Sequence, residues 1–165
     1  MLERKISLDL KKIAFLSFIF SAIIIGIIGF DVFTEKAQDL RRKADMDALA
    51  KALDMYYLKH GAYPDSDDDW RGWDLSYASG KKSDFLKILV DEGFLKKEAR
   101  DPVNDATYYY RYQRFKAGSF GCDKAFYVLQ LSSFRLAAES TGRGECPQIR
   151  WTDLAPNGYT IQAFE

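Results

Sequence analysis

His60 is the only histidine in the chain, and no G-x-S-x-G, H-E-x-x-H or phosphate-cradling glycine loop stands in it. The motif constellations of hydrolytic and nucleotide chemistry are therefore missing, and an enzyme is not expected. His60 closes a helical pattern, where its imidazole is expected to meet the last carbonyls. Neither sign of charge is in excess: 24 Lys and Arg balance 24 Asp and Glu. Proteins that grip phosphate backbones show a net basic face, so nucleic acid is not an expected partner. Cysteine occurs twice, as Cys122 and Cys146, never as C-x-x-C, which gives no support to zinc or thioredoxin-like chemistry.

Charge is absent altogether from Ile13 to Phe30, and so is proline. At about 1.5 Å per residue this run rises roughly 27 Å, close to the hydrocarbon thickness of a bilayer, and Val32 and Phe33 extend it. A buried core helix would carry a polar stripe, whereas this run offers only Ser17 and Ser21. A cleaved signal would have a shorter apolar region and an A-x-A-like site, which Ile27-Ile28-Gly29-Phe30 does not supply. The reading is a retained single-pass anchor in the cell membrane. Arg4, Lys5, Lys11 and Lys12 precede it, while basic and acidic residues mix after it, so the N-terminus is expected in the cytoplasm. Residues 1–12 then form a cytoplasmic basic tail, 13–33 the transmembrane helix and 34–165 one extracytoplasmic domain. Both cysteines fall in that domain and read as a disulfide, two separate buried thiols being the alternative. Closing a loop of about 25 residues would stabilise the fold by roughly 3–4 kcal/mol in chain-entropy terms.

Beyond the span the pattern stays helical. Leu40, Ala44, Ala48, Leu49, Ala52, Leu53, Tyr56 and Tyr57 recur at spacings that place them on one stripe. Asp39–Lys43 and Asp47–Lys51 are acid-first pairs at i,i+4 on the exposed face. Gly61 is suited to a left-handed C′ position and Pro64 blocks continuation, so the helix ends near His60.

Ala44-Asp45, Leu49, Ala52-Leu53, Tyr56-Tyr57, Gly61 and Tyr63-Pro64 resemble the end of the long first helix in type IV pilin-like proteins, especially the major pseudopilin of type II secretion. Phe85-Leu86, Leu89, Gly93-Phe94-Leu95, Asp101-Pro102-Val103-Asn104, Tyr108 to Tyr112 and Phe126-Tyr127-Val128-Leu129 are similar to the remainder of that pattern. The resemblance covers roughly residues 13–134. It implies a structural subunit of a type II secretion or type IV pilus-type apparatus, with the lipid bilayer, like pilin subunits and secretion-apparatus proteins as partners. The leader glycine and the glutamate that mark a prepilin peptidase site in that family have no counterpart before or within Ile13–Phe30. The second reading is an anchored interaction module of pilin-like fold that does not polymerise.

The remaining segments read as follows. Residues 65–80 form an irregular surface loop. Its Asp65 and Asp67, together with Asp101, Asn104 and Asp105, are candidate calcium ligands, although no EF-hand spacing is present and no cofactor is required. Ser83 caps a helix running to about Glu92 that rests beside the first. Asp101-Pro102 opens a turn whose aspartate accepts backbone N–H groups. Residues 107–115 and 125–134 are strands joined by a turn at Gly118–Gly121, with Tyr108, Tyr110 and Tyr112 on one face and Tyr109, Arg111 and Gln113 on the other. Alternating Tyr109, Arg111, Tyr112 and Arg114 invite comparison with single-strand nucleic-acid binders, but a core and edge strand is the preferred reading. Residues 136–156 make a long excursion tied back by the cysteines, and 158–164 form a last strand. The fold class is α+β, a long N-terminal helix packed on a small antiparallel sheet.

Overall fold

The computed structural model describes residues 2–66, 71–77, 84–136 and 141–165. Helix α1 runs from Leu2 to His60 as one element. Contacts divide the chain into residues up to Ala37 and Gln38–Glu165. In the first unit the apolar side chains stand outward, with Phe15, Phe18, Phe20 and Ile25 largely exposed. The hydroxyls of Ser17 and Ser21 donate to the carbonyls of Ala14 and Ser17, so the run's two polar side chains are satisfied by their own helix. This helix is long and apolar enough to cross a membrane.

In the second unit, α1 continues to His60 and is followed by β1 (Asp74–Leu75), α2 (Asp84–Asp91), β2 (Tyr110–Phe115), β3 (Phe126–Leu131), β4 (Thr141–Arg143), β5 (Glu145–Cys146), β6 (Ile149–Arg150) and β7 (Tyr159–Phe164). Five strands form one sheet in the order β1-β2-β3-β7-β4, antiparallel except for the parallel β4–β7 pair, while β5 and β6 form a separate hairpin. Gly61 adopts φ 74° and its N–H bonds the Tyr57 carbonyl, ending α1 where the sequence places the stop. Two segments read as irregular contribute strands: Asp74–Leu75 pairs with β2, and Thr141–Arg143 joins the edge of β7. The second joining depends on Gly142, because a Cβ there would stand 2.0 Å from the Thr160 carbonyl oxygen. Ser83 lies outside the described residues. Within α2, the Phe85 N–H donates to buried Asp74.

The buried stripe of α1 differs from the expected one. Met46, Leu49, Ala52 and Leu53 are buried with Phe85, Leu86 and Leu89 of α2 and with Tyr110, Tyr112, Tyr127, Leu129 and Leu131 of the sheet. Ala44 and Ala48 are exposed and Leu40 is 64% exposed. The stripe is continued upward by Arg42, which is fully buried. Positions 42, 46, 49 and 53 keep the 4-3-4 rhythm of one helix face, and 40, 44 and 48 turn away from it.

The opposite face of the sheet has its own core. Pairing registers put Arg111, Gln130 and Thr160 in one row, Gln113, Val128 and Gln162 in the next, and Phe115, Phe126 and Phe164 in the third. This face therefore grades from polar to aromatic along its length. Trp73, Trp151, Phe126, Val128 and the disulfide Cys122–Cys146 form the cluster above it. The two stripe readings separate cleanly in a stability measurement. Leu49→Ala is expected to cost about 2–5 kcal/mol in chemical denaturation, whereas Leu40→Ala should change stability by no more than about 0.5 kcal/mol.

Candidate functional site

Three aspartates of α1, at 39, 45 and 54, meet partners from other elements, and they sew the helix to the rest of the domain. Arg42 donates from Nε to Asp101 at 2.6 Å and from Nη2 to the same carboxylate at 3.0 Å, while Nη1 reaches Asp39 at 2.7 Å. Burial lowers the Arg42 pKa, but the hydrogen bonds to Asp101 and Asp39 outweigh it and hold the guanidinium above its usual value. The ring of Tyr108 lies 4.6 Å from the Arg42 guanidinium and 5.1 Å from that of Arg135. Asp39 does not pair with Lys43 as expected. It accepts the backbone N–H groups of Arg135 and Leu136. Tyr110 donates its hydroxyl to Asp45, and Tyr63 donates to Asp54.

The candidate calcium ligands are spread over these contacts. Asp101 also accepts the N–H groups of Val103 and Asn104, as its turn requires, and is occupied by Arg42. Asp105 accepts the N–H groups of Thr107 and Tyr108, which hold its carboxyl below the usual range. Asn104 sits at φ 55° and accepts from Ser76 at 3.4 Å. Asp65 pairs with Arg114, and Asp67 lies outside the described residues. Among the described residues no cluster of three or more metal-binding side chains forms. His60 stacks on Tyr56 at 4.2 Å and meets Glu92 at 3.2 Å rather than the terminal carbonyls. The residues suspected of base stacking are engaged internally. Tyr112 and Arg111 are buried, and Arg114 donates to Asp65 and Glu165.

Two grooves flank α1. One, of about 490 Å³, is walled by Asp47, Ala50 and Asp54 and floored by Tyr127, Tyr159, Ile161 and Ala163, with Gly142 and Arg143 of β4 on its far side. The other, of about 760 Å³, runs between Arg41, Asp45 and Ala48 of α1, Val90 of α2 and the segment after α2, where Leu95 and Ala99 are accompanied by Lys96, Lys97, Glu98 and Arg100. At about 100° per residue the two sets of α1 positions face roughly 150° apart. One flank of the helix thus carries exposed carboxylates and the other a lysine-rich loop.

The family model of type II secretion system protein G matches residues 32–125. The chain belongs to the type II secretion system protein G family. No curated protein and no solved structure matches it. The matched residues contain the second unit's part of α1, the Asp101 turn and β2, so Arg42, its partners Asp39 and Asp101, and the lysine-rich flank lie within the protein G region, while Arg135 and Leu136 lie beyond it. Strands β3 and β7 and the disulfide-bearing excursion continue beyond it. This family is that of the major pseudopilin, a structural component of the secretion machinery.

Arg42 is the site residue that sequence reasoning overlooked. Its signal was positional, since it stands four residues before Met46 and seven before Leu49 on the stripe. Asp101→Asn is expected to cost about 3–5 kcal/mol, because it leaves the buried guanidinium short of countercharge; the shift in denaturation midpoint measures it. A second expectation concerns alkali. Burial raises the hydroxyl pKa values of Tyr63, Tyr110, Tyr112 and Tyr127 well above the ordinary 10.0, with Asp54 and Asp45 adding to Tyr63 and Tyr110. The folded state thus holds these protons more tightly than the unfolded one. Stability should be intact below about pH 10 and fall as pH rises above it, with tyrosinate absorbance from these rings emerging only as the domain unfolds.

Proposed function

We propose that this chain is a membrane-anchored pseudopilin whose copies associate side by side through the two flanks of α1. The observation that carries this reading is their complementarity. Asp47 and Asp54 line one apolar-floored groove, and Lys96 and Lys97 rim the other. A contact between different patches on successive copies is heterologous, and when its rotation does not close it propagates as a fibre. The charges steer and register such a contact, and the half-buried Tyr159, Ile161 and Ala163 supply area for it to cover. The uncharged run Ile13–Phe30 holds each subunit in the inner membrane before assembly. Basic residues before the run favour an N-terminus in the cytoplasm and a C-terminal domain on the outer side.

A non-polymerising anchored module is the second reading, favoured by one observation. Residues 126–165 lie outside the family match and include most of the disulfide-bearing cluster on the face of the sheet remote from α1. Crosslinking in membranes separates the two. With Asp47→Cys and Lys97→Cys in one chain, a ladder of oligomers is expected. Lys96→Glu with Lys97→Glu should reduce association about tenfold or more, as should Asp47→Lys with Asp54→Lys, and the combined variant should recover it. Because Asp54 also accepts from Tyr63, unchanged thermal unfolding of the variants must accompany the result. Absence of any ladder from folded protein would remove the polymer and leave the module.

A further inference from the structure

We infer that Glu145–Leu154 is a cap that the Cys122–Cys146 bond latches onto the sheet, and that this cap opens and closes as a unit while the α1 side of the domain stays folded. The cap comprises β5, β6 and the 3-10 turn Trp151–Leu154. Among the described residues no backbone-to-backbone hydrogen bond joins it to the five-stranded sheet. Its bonds to the sheet are made by side chains, and Trp151 N–H donates to the carbonyl of Gly144, the residue that follows β4. Arg111 donates to the Leu154 carbonyl, Gln130 donates to the Trp151 carbonyl, and Gln162 accepts the Glu145 N–H. A further backbone bond, from Gln148 N–H to the Phe120 carbonyl, links it to the 3-10 turn Ser119–Gly121. That turn is where the disulfide is rooted, at Cys122.

Closing the cap is opposed by what it buries. The indole N–H of Trp151 is buried and finds no acceptor among the described residues. Arg111 is 6% exposed, and its hydrogen-bond acceptors there, Gln130 and the Leu154 carbonyl, are neutral; burial lowers its pKa accordingly. The row beneath the cap, Arg111, Gln130 and Thr160, is polar and hydrates readily when uncovered. An element attached by few main-chain bonds over a hydratable surface is the kind that opens below the global unfolding free energy. The aromatic packing of Trp151 on Phe115, Phe120 and Phe126 favours closure. The covalent link tips the balance by confining the open cap to the neighbourhood of its seat.

The α1 side is insulated from this event. Its core of Met46, Leu49, Leu53, Phe85, Leu89, Tyr110 and Leu129 contains no cap residue. The redox step is thiol–disulfide exchange with a dithiol. The dithiol gives up two electrons and two protons and ends as a disulfide, and Cys122 and Cys146 become two thiols. In an oxidising compartment the reverse reaction, with a disulfide donor, closes the latch.

Hydrogen exchange on the full chain in detergent tests the inference, comparing the oxidised protein with the dithiothreitol-reduced protein and with a Cys122→Ala, Cys146→Ala chain. Exchange at Glu145 and Gln148 should rise about tenfold or more in the cysteine-free chain, while the β2–β3 amides and those of α1 between 42 and 57 stay within about threefold. The reduced protein should match the cysteine-free one. Unchanged exchange at Glu145 and Gln148 without the disulfide would overturn the latch, and a rise spread through β2, β3 and α1 would overturn the independence of the cap. Both outcomes are separable from the crosslinking result, because neither depends on association between copies.

Discussion

Removing a guanidinium from water costs several kcal/mol unless carboxylates meet it, and α1 buries Arg42 completely on the same stripe as Met46, Leu49 and Leu53. The helix can pack against the sheet in this register only if acids are delivered to that point. Asp101 is delivered by the turn that Pro102 initiates, and Asp39 by the helix itself. Asp39 in turn fixes the backbone at Arg135 and Leu136. One buried cation therefore couples three segments that are remote in sequence, and the Tyr110–Asp45 and Tyr63–Asp54 bonds continue the same seam down the helix. Apolar contact alone would tolerate a slip along the helix axis. A bidentate ion pair does not.

The sheet that receives this helix is asymmetric. Its α1 face is dominated by tyrosine and leucine, with the Tyr110 hydroxyl donating to Asp45 and the Tyr112 hydroxyl to the Pro64 carbonyl. Its other face holds a polar row, a mixed row and an aromatic row. Phe120 at φ 52° and the disulfide concentrate near the aromatic end. A bulky residue in the left-handed region is costly, and it is held here by Trp151, Phe115 and the Gln148 bond. The constrained backbone and the covalent link thus lie on the side of the sheet opposite the helix seam.

Much of this was legible from local chemistry. The end of α1 at His60, the Asp101 turn, the β2–β3 hairpin and the last strand each follow from residues that act on their immediate neighbours: Gly61, Asp101, Gly118 and alternating side chains; the cysteine pair follows from there being two cysteines in the chain. What escaped was set by distant parts of the chain. Leu40, Ala44 and Ala48 look like stripe residues by composition, and Arg42 looks like a surface charge, until Asp101 arrives from 59 residues away to neutralise it. Strands β1 and β4 are two and three residues long, too short for alternation to register, and their edges are specified by the strands they join. Among the calcium candidates, folding gives Asp101 to Arg42, Asp65 to Arg114 and Asp105 to its own backbone.

The placement of the two devices follows from a conflict between them. A subunit that associates through both flanks of α1 needs that helix held rigidly, because a shift of one turn would carry Asp47 and Asp54 past the groove they border. The polar clamp of Arg42 supplies that rigidity without the cysteines, and its matched region ends before the cap begins. A covalent latch on the α1 face would make the registered surface depend on oxidation. On the far face, the disulfide can govern the cap while the helix keeps its seat. The separation of Met46, Leu49 and Tyr110 from Trp151, Phe126 and Cys146 into two cores across one sheet is the physical form of that division.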